Sequence, residues 1–154
     1  MPNDQVPYIY QTEGVEWLSS TRDNGYGYSS TPLVGLLGDE MGLGKTAQAL
    51  MAIRPLIEQG KRILFIVPGA TITQWQRQYQ RWILDCEADE FGMDGLFALR
   101  STDARIPKGM CCICSHTILA RVEFVEKLAN ANFDGIVIDE VHKFGNRMAR
   151  RTKH

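Results

Sequence analysis

Three features of the sequence predict an α/β fold, a mainly parallel sheet covered by helices on both faces. Short apolar runs at Leu33 to Gly38, Arg62 to Val67 and Met110 to Ser115, and a last strand at Phe133 to Ile138, alternate with segments of helical character. Strands apolar throughout belong in a sheet buried on both faces, because an open face would impose alternation. Glycine-rich or acidic residues come directly after two of these runs, at Asp39 to Thr46 and at Asp139-Glu140, and the carboxyl ends of parallel strands are where such sheets hold ligands.

Tyr10 to Ser19 has helical spacing at Tyr10, Gly14, Trp17 and Leu18 and runs into the loop formers of Ser19 to Thr31. Leu33 to Gly38, bounded by Pro32 and Asp39, suits a buried strand. Lys45 to Gln59 is helical by composition and stops at Gly60, with a kink expected at Pro55, which cannot donate to the carbonyl four residues back. Arg62 to Val67 is a second buried strand, closed by Pro68-Gly69. Thr71 and Gln74 form a capping-box pattern that opens a helix to about Leu84. Glu87 to Asp94 reads as an acidic surface loop, Gly95 to Arg100 as a strand and Met110 to Ser115 as a stronger one. His116 to Ala129 reads as one helix with Ile118, Leu119, Val122, Val125 and Leu128 on one side, and Phe133 to Ile138 as the last strand.

At 154 residues the chain is of one-domain size, and 44% hydrophobic with 23% charged residues is the balance of a soluble globular protein. No run approaches the roughly 18 apolar residues of a membrane helix, and Met1-Pro2-Asn3-Asp4 does not open a secretory signal, so a cytoplasmic or nuclear protein with no membrane partner is expected. The net charge of -1 hides an asymmetry: Lys143, Arg147, Arg150, Arg151 and Lys153 crowd the last residues without an acid, leaving 12 cations to 18 acids elsewhere. Cys86, Cys111, Cys112 and Cys114 fit neither paired metal-ligand spacings nor a disulfide framework and read as reduced core thiols.

The chemistry concentrates at two places. Gly42-Leu43-Gly44-Lys45-Thr46 lies between a buried strand and a helix, where glycines let the backbone curl so that N–H groups point at phosphate oxygens. The helix dipole adds to this, Lys45 can reach terminal phosphates, and the Thr46 hydroxyl can ligate magnesium. A structural glycine turn is the plainer alternative, since the strict pattern has glycine where this chain has Asp39. Asp139-Glu140 closes an apolar strand, which packing explains poorly. One carboxylate can hold a magnesium-bound water shell while its neighbour orients or deprotonates the attacking water. The plainer reading of that pair is a solvated strand end.

Together these segments resemble the Swi/Snf-type ATPases of helicase superfamily two. Asp39-Glu40-Met41-Gly42-Leu43-Gly44-Lys45-Thr46 is similar to that family's nucleotide-binding motif, in which an acid is usual at the position of Asp39. Asp139-Glu140-Val141-His142 resembles its Asp-Glu-x-His motif, with valine for the usual small residue. Tyr10-Gln11 through Trp17-Leu18 resembles the segment whose glutamine recognises adenine, although Tyr8 and Ile9 replace the usual arginine and proline. Val67-Pro68 through Gln74-Trp75 is similar to a motif that faces the DNA backbone, and Ser115-His116-Thr117-Ile118-Leu119 to a later one, with His116 for tyrosine. Phe144-Gly145-Asn146 and Arg151-Thr152-Lys153 resemble residues downstream of the family's acid motif.

The resemblance implies a RecA-like P-loop lobe, residues 32–154, preceded by a helix and loop, residues 1–31, that carry the adenine motif. It implies ATP and Mg2+ as cofactors, with Gln11, Gly42, Leu43, Gly44, Lys45 and Thr46 around the nucleotide. Thr46 and Asp139 would serve the metal and Glu140 the water, with Lys45 on the phosphates. His142 would couple the nucleotide site to later motifs, and Pro68, Ser115 and His116 would meet DNA. The family's second lobe and its arginine fingers have no counterpart in these residues, so double-stranded DNA and a second lobe are the implied partners, and little hydrolysis is expected of this chain alone. A strand-separating helicase, a restriction-type translocase and a nucleotide-dependent binding module remain open alternatives. Trp75, Tyr79 and Trp82 share one helix face and read as core rather than as base-stacking platforms, and Arg77 and Arg81 as a solvated pair.

Overall fold

The computed structural model describes residues 12–13, 44–85 and 95–140. The chain divides into two compact units, Met1–Gly60 with Trp75–Gly95 and Lys61–Gln74 with Leu96–His154. The predicted strand at Leu33 to Gly38, the loop at Glu87 to Asp94, Cys86 and the basic segment after Glu140 lie outside the described residues. Of the predicted first helix, Thr12 and Glu13 are described, and both are helical and exposed.

The second unit is built on a four-stranded parallel sheet. Its strands are β1 (Ile63–Val67), β2 (Leu96–Leu99), β3 (Cys111–Ser115) and β4 (Gly135–Ile138), in the spatial order β2-β3-β1-β4. The predicted α/β class with parallel pairing therefore holds, and register sets Val67 beside Ser115 and Ile66 beside Ile138. All five residues of β1 and the first four of β3 are buried, the signature of central strands. On one face Leu64, Ile66, Leu99, Cys112 and Cys114 pack with Phe124 and Leu128 in a single apolar cluster. Desolvation in this setting pushes the Cys112 thiol up to about 11 and Cys114 to about 12, so both are neutral and inert, as the reduced-thiol reading requires.

Two expectations fail here. β4 is not buried: Ile136, 61% exposed, and Ile138 pair with Leu64 and Ile66, yet stay outside the cluster those two join. The helix whose Phe124 and Leu128 enter the cluster does not cover them. The single helix read over His116 to Ala129 is likewise two pieces, a 3-10 turn His116–Ala120 and α3 (Val122–Ala129), separated by Arg121 in extended conformation. That break resets the phase of the apolar positions. Ile118 and Leu119 pack on the core from the turn, whereas Val122 and Val125 face outward and Phe124 and Leu128 point inward.

A guanidinium ties the amino ends of this sheet together. Arg62 donates from Nε to the Met110 carbonyl (3.3 Å), from Nη2 to Pro107 (2.8 Å) and from Nη1 to Ala131, and it lies 4.6 Å from the centroid of the Phe133 ring. Its backbone N–H donates to Asp134 Oδ2 (2.8 Å), and Lys127 Nζ donates to the Ala104 carbonyl (2.6 Å). These long-range bonds hold the 101–110 loop and the turn after α3 where the strands begin.

The first unit contains α1 (Lys45–Glu58) and most of α2 (Ile72–Ile83), which is preceded by a 3-10 turn, Gly69–Thr71. α1 continues one turn beyond Pro55 and ends with Gln59 as its cap. Gly60 at φ 80 then bonds back to the Ile57 carbonyl (2.9 Å), the left-handed ending that glycine accommodates best. Just before α2 the Thr71 hydroxyl donates to the Pro68 carbonyl (2.9 Å), so it serves the preceding turn. Trp75 and Tyr79 are buried as predicted, whereas Trp82 is partly buried and donates from Nε1 to Gln78 Oε1 (2.8 Å). Arg54 on α1 bonds Glu58, both carboxylate oxygens of Asp85 and the Trp82 carbonyl, joining α1 to the end of α2.

Candidate functional site

The amino end of α1 carries the first half of the predicted site. Gly44 is its N-cap, at φ 69 and ψ 36, a left-handed backbone that costs an L-residue roughly 1 kcal/mol or more and glycine almost nothing. A glycine cap also has no side chain to bond the first N–H groups, and the first turn contains no acid. The N–H groups of a helix's first turn lack intrahelical acceptors and carry a partial positive charge. Lys45 and Thr46, both partly exposed, occupy that turn beside them. The arrangement suits an anion, with a hydroxyl and a mobile cation at the mouth.

The carboxyl edge of the sheet in the second unit carries a separate set of predicted residues. Ser115 ends β3 opposite Val67, the residue before Pro68, and a Cβ added to Gly69 would meet Ser115 Cβ at 3.5 Å. Asp139 comes directly after β4 and donates its N–H to the Ile66 carbonyl (2.9 Å), in continuation of the β1–β4 ladder. Pro68, Ser115, Asp139 and Glu140 therefore share one edge of one sheet, although 71 positions separate Pro68 from Asp139. The Ser115 and Thr117 hydroxyls bond each other at 2.7 Å. His116 is buried in the turn after β3 rather than exposed on this edge.

One property of this edge is invisible in the sequence. Glu140 has φ 51, in the left-handed region, where a residue with a Cβ is held only by its surroundings. Asparagine or glycine at that position would have signalled such a backbone, and glutamate does not. Gln11, Gly42, Leu43 and His142, the remaining predicted site residues, lie outside the described residues. Among those described, no group of three or more His, Cys, Asp or Glu side chains is placed to hold a metal, and no helix is long and apolar enough to cross a membrane.

Comparison with known proteins gives these features a family. Residues 10–154 match the SNF2-related domain. An ATP-dependent helicase of Mycoplasma genitalium is 29% identical over 158 residues, covering 99% of this chain and 14% of that protein. The SWI/SNF chromatin-remodeling complex subunit snf22 of Schizosaccharomyces pombe is 30% identical over 150 residues, 93% of this chain and 8% of its own length. The ISWI chromatin-remodeling complex ATPase ISW1 of Saccharomyces cerevisiae is 33% identical over 144 residues, 89% of this chain and 12% of its own. The chain thus spans a small fraction of the length of each of these relatives. With a parallel α/β sheet, a glycine-capped Lys-Thr helix and an Asp-Glu pair closing a strand, the chain belongs to the SNF2-related domain family and corresponds to its amino-terminal helicase lobe.

Proposed function

We propose that the chain is the ATP-binding lobe of a DNA-dependent ATPase that couples hydrolysis to movement along double-stranded DNA. The observation that carries the reading is the start of α1, where a left-handed Gly44, an uncapped acid-free first turn and Lys45-Thr46 meet the needs of a nucleotide's phosphates. Lys45 neutralises charge on the terminal phosphates, and Gln11 selects adenine. Magnesium is bound in such sites through few protein oxygens plus phosphate and water, which matches the Thr46 hydroxyl and the Asp139 carboxylate in kind. It would supply charge neutralisation across the phosphates. Glu140 orients the attacking water and accepts its proton.

The remaining roles rest on the same family reading. Pro68 and Ser115, both at the carboxyl edge, contact the DNA backbone, and buried His116 positions that segment. His142 relays the state of the nucleotide site to a second lobe, which supplies the arginines that stabilise the transferring phosphoryl group. Such arginines contribute about 10³ to 10⁵ in rate, so this chain alone binds ATP and turns it over slowly. With few phosphate contacts, its hold on DNA has a shallow salt dependence, about 0.9 in the log–log slope per contact.

Nucleotide titration in magnesium tests the reading. Lys45→Ala should weaken ATP binding roughly ten- to a hundredfold with the fold intact, because a charge-assisted contact contributes about 1.5 to 3 kcal/mol. In a protein that also contains the second lobe, Glu140→Gln should bind ATP and fail to turn it over. Unchanged affinity in a folded Lys45→Ala chain would remove the basis of the proposal.

A further inference from the structure

The opposite end of the sheet holds a second feature with a ligand-binding character. Arg62 precedes β1, Met110 precedes β3 and Asp134 precedes β4, so the surrounding loops sit at the amino ends of the strands, away from Pro68, Ser115 and Asp139. A cavity of about 600 Å3 opens there. Arg62, Arg105, Lys108 and Lys127 line it against one acid among the described residues, Asp103, and Asn130 and Asn132 add amide donors. Cavities that hold small ligands run from about 300 to 1,000 Å3.

The four cations divide into two pairs with different work. Arg62 and Lys127 are committed to carbonyls: Arg62 to those of Pro107, Met110 and Ala131, and Lys127 to that of Ala104. This has two consequences for the cavity. It fixes the 101–110 loop, and it occupies carbonyl oxygens that would otherwise repel an anion. Arg62 still has N–H groups beyond the three it uses, since a guanidinium carries five. Arg105 and Lys108 are exposed, and their side chains enter no ion pair or hydrogen bond among the described residues. Four like charges gathered around one concavity repel each other and focus a positive potential into it. A bound anion relieves that repulsion, and the tethered cations make the site rigid before it arrives.

We propose that this cavity binds a compact polyphosphate anion, such as pyrophosphate or the phosphate tail of a nucleotide, through residues other than those of the α1 terminus. Several donors converge on it, as multiply charged phosphate oxygens need, and a nucleic acid duplex is too wide to enter a space of this size. Asp103 is the opposing charge: it weakens the site and keeps it selective for anions charged enough to overcome it.

Calorimetric titration of pyrophosphate into the Lys45→Ala chain at low salt tests the proposal, because that background weakens the phosphate site at α1. One binding event is expected. The double variant Arg105→Ala, Lys108→Ala, at exposed positions, should weaken it at least about tenfold, and Asp103→Asn should tighten it several-fold. Circular dichroism verifies the fold of each variant, and if the double variant does not fold, the Asp103→Asn result decides alone. Absence of binding, or affinity indifferent to these changes, overturns the proposal. So does a duplex oligonucleotide whose binding depends on Arg105 and Lys108 while pyrophosphate does not bind.

Discussion

Arg54 in the first unit and Arg62 in the second both join distant pieces of chain, by opposite means. Arg54 pairs with carboxylates, bridging Glu58 Oε1 at 2.7 Å and Asp85 Oδ2 at 2.7 Å, with its side chain 34% exposed and that of Asp85 62% exposed. Arg62 is held by neutral groups, three carbonyls and the face of Phe133, in a partly buried setting. The two clamps therefore respond to different conditions. An exposed ion pair is screened by salt, lost when its acid is protonated, and worth about 0.2 to 1 kcal/mol. Carbonyl acceptors do not titrate, and removing their donor leaves them unsatisfied.

The largest effect should come from Arg62→Ala. Three carbonyls lose a charged donor, and discounting for partial hydration the loss is about 2 to 3 kcal/mol in urea unfolding, nearly unchanged between low and high salt. Arg62→Lys should recover only part of it, because an ammonium cannot span three acceptors in the guanidinium's plane. A cost no greater than that of Arg54→Ala would dissolve the contrast.

Arg54→Ala comes next, at about 1 kcal/mol or less, shrinking as salt is added. Its pH dependence separates the two clamps further. The Arg54 guanidinium, by its hydrogen bonds, holds the Asp85 carboxyl below its ordinary value of 3.8. An acid depressed in this way stabilises the fold fully above that ordinary value, and the contribution fades as pH falls through the depressed one. The raised Arg54 value matters only in strong alkali. The stability gap between parent and Arg54→Ala should therefore close on acidification below about pH 4, while that of Arg62→Ala should not close in the same way. A gap that persists at low pH would show that the Trp82 carbonyl bond, not the ion pair, carries Arg54's contribution.

The smallest effect should be Phe133→Leu, which keeps an apolar side chain and removes the aromatic face under Arg62. A partly exposed cation–π contact is worth about 0.5 to 1 kcal/mol, read as a small shift in the unfolding midpoint. No shift would leave the carbonyls as the whole of the Arg62 clamp.

Legibility from sequence tracks how local the determinant is. β1 and β3 are readable because a central strand is apolar at every position, and Gly60 because a helix ending needs its left-handed backbone locally. β4 misleads because Ile136 and Ile138 look like Leu64 and Ile66 in a one-dimensional string. Whether such residues are covered depends on where α3 lies, and the break at Arg121 shifts the phase of α3 itself. In the candidate site, pattern nominates Lys45, Thr46, Asp139 and Glu140, since phosphate and metal chemistry demands those types in consecutive positions. The left-handed backbone of Glu140 and the burial of His116 have no signal in residue type.

Residue order alone is enough for the α/β class, the strands β1 to β4 with helices α1 and α2, and the resemblance to the family, because apolar periodicity and phosphate-binding chemistry are written over a few adjacent residues. The spatial strand order β2-β3-β1-β4, and through it the shared edge of Pro68, Ser115 and Asp139, comes from tertiary pairing. So does the meeting of Arg62 with carbonyls 45, 48 and 69 positions away, and the gathering of four scattered cations around one cavity. Contacts at such separations depend on which strands pair and in what register, a choice made by the total burial of the sheet rather than by any single segment.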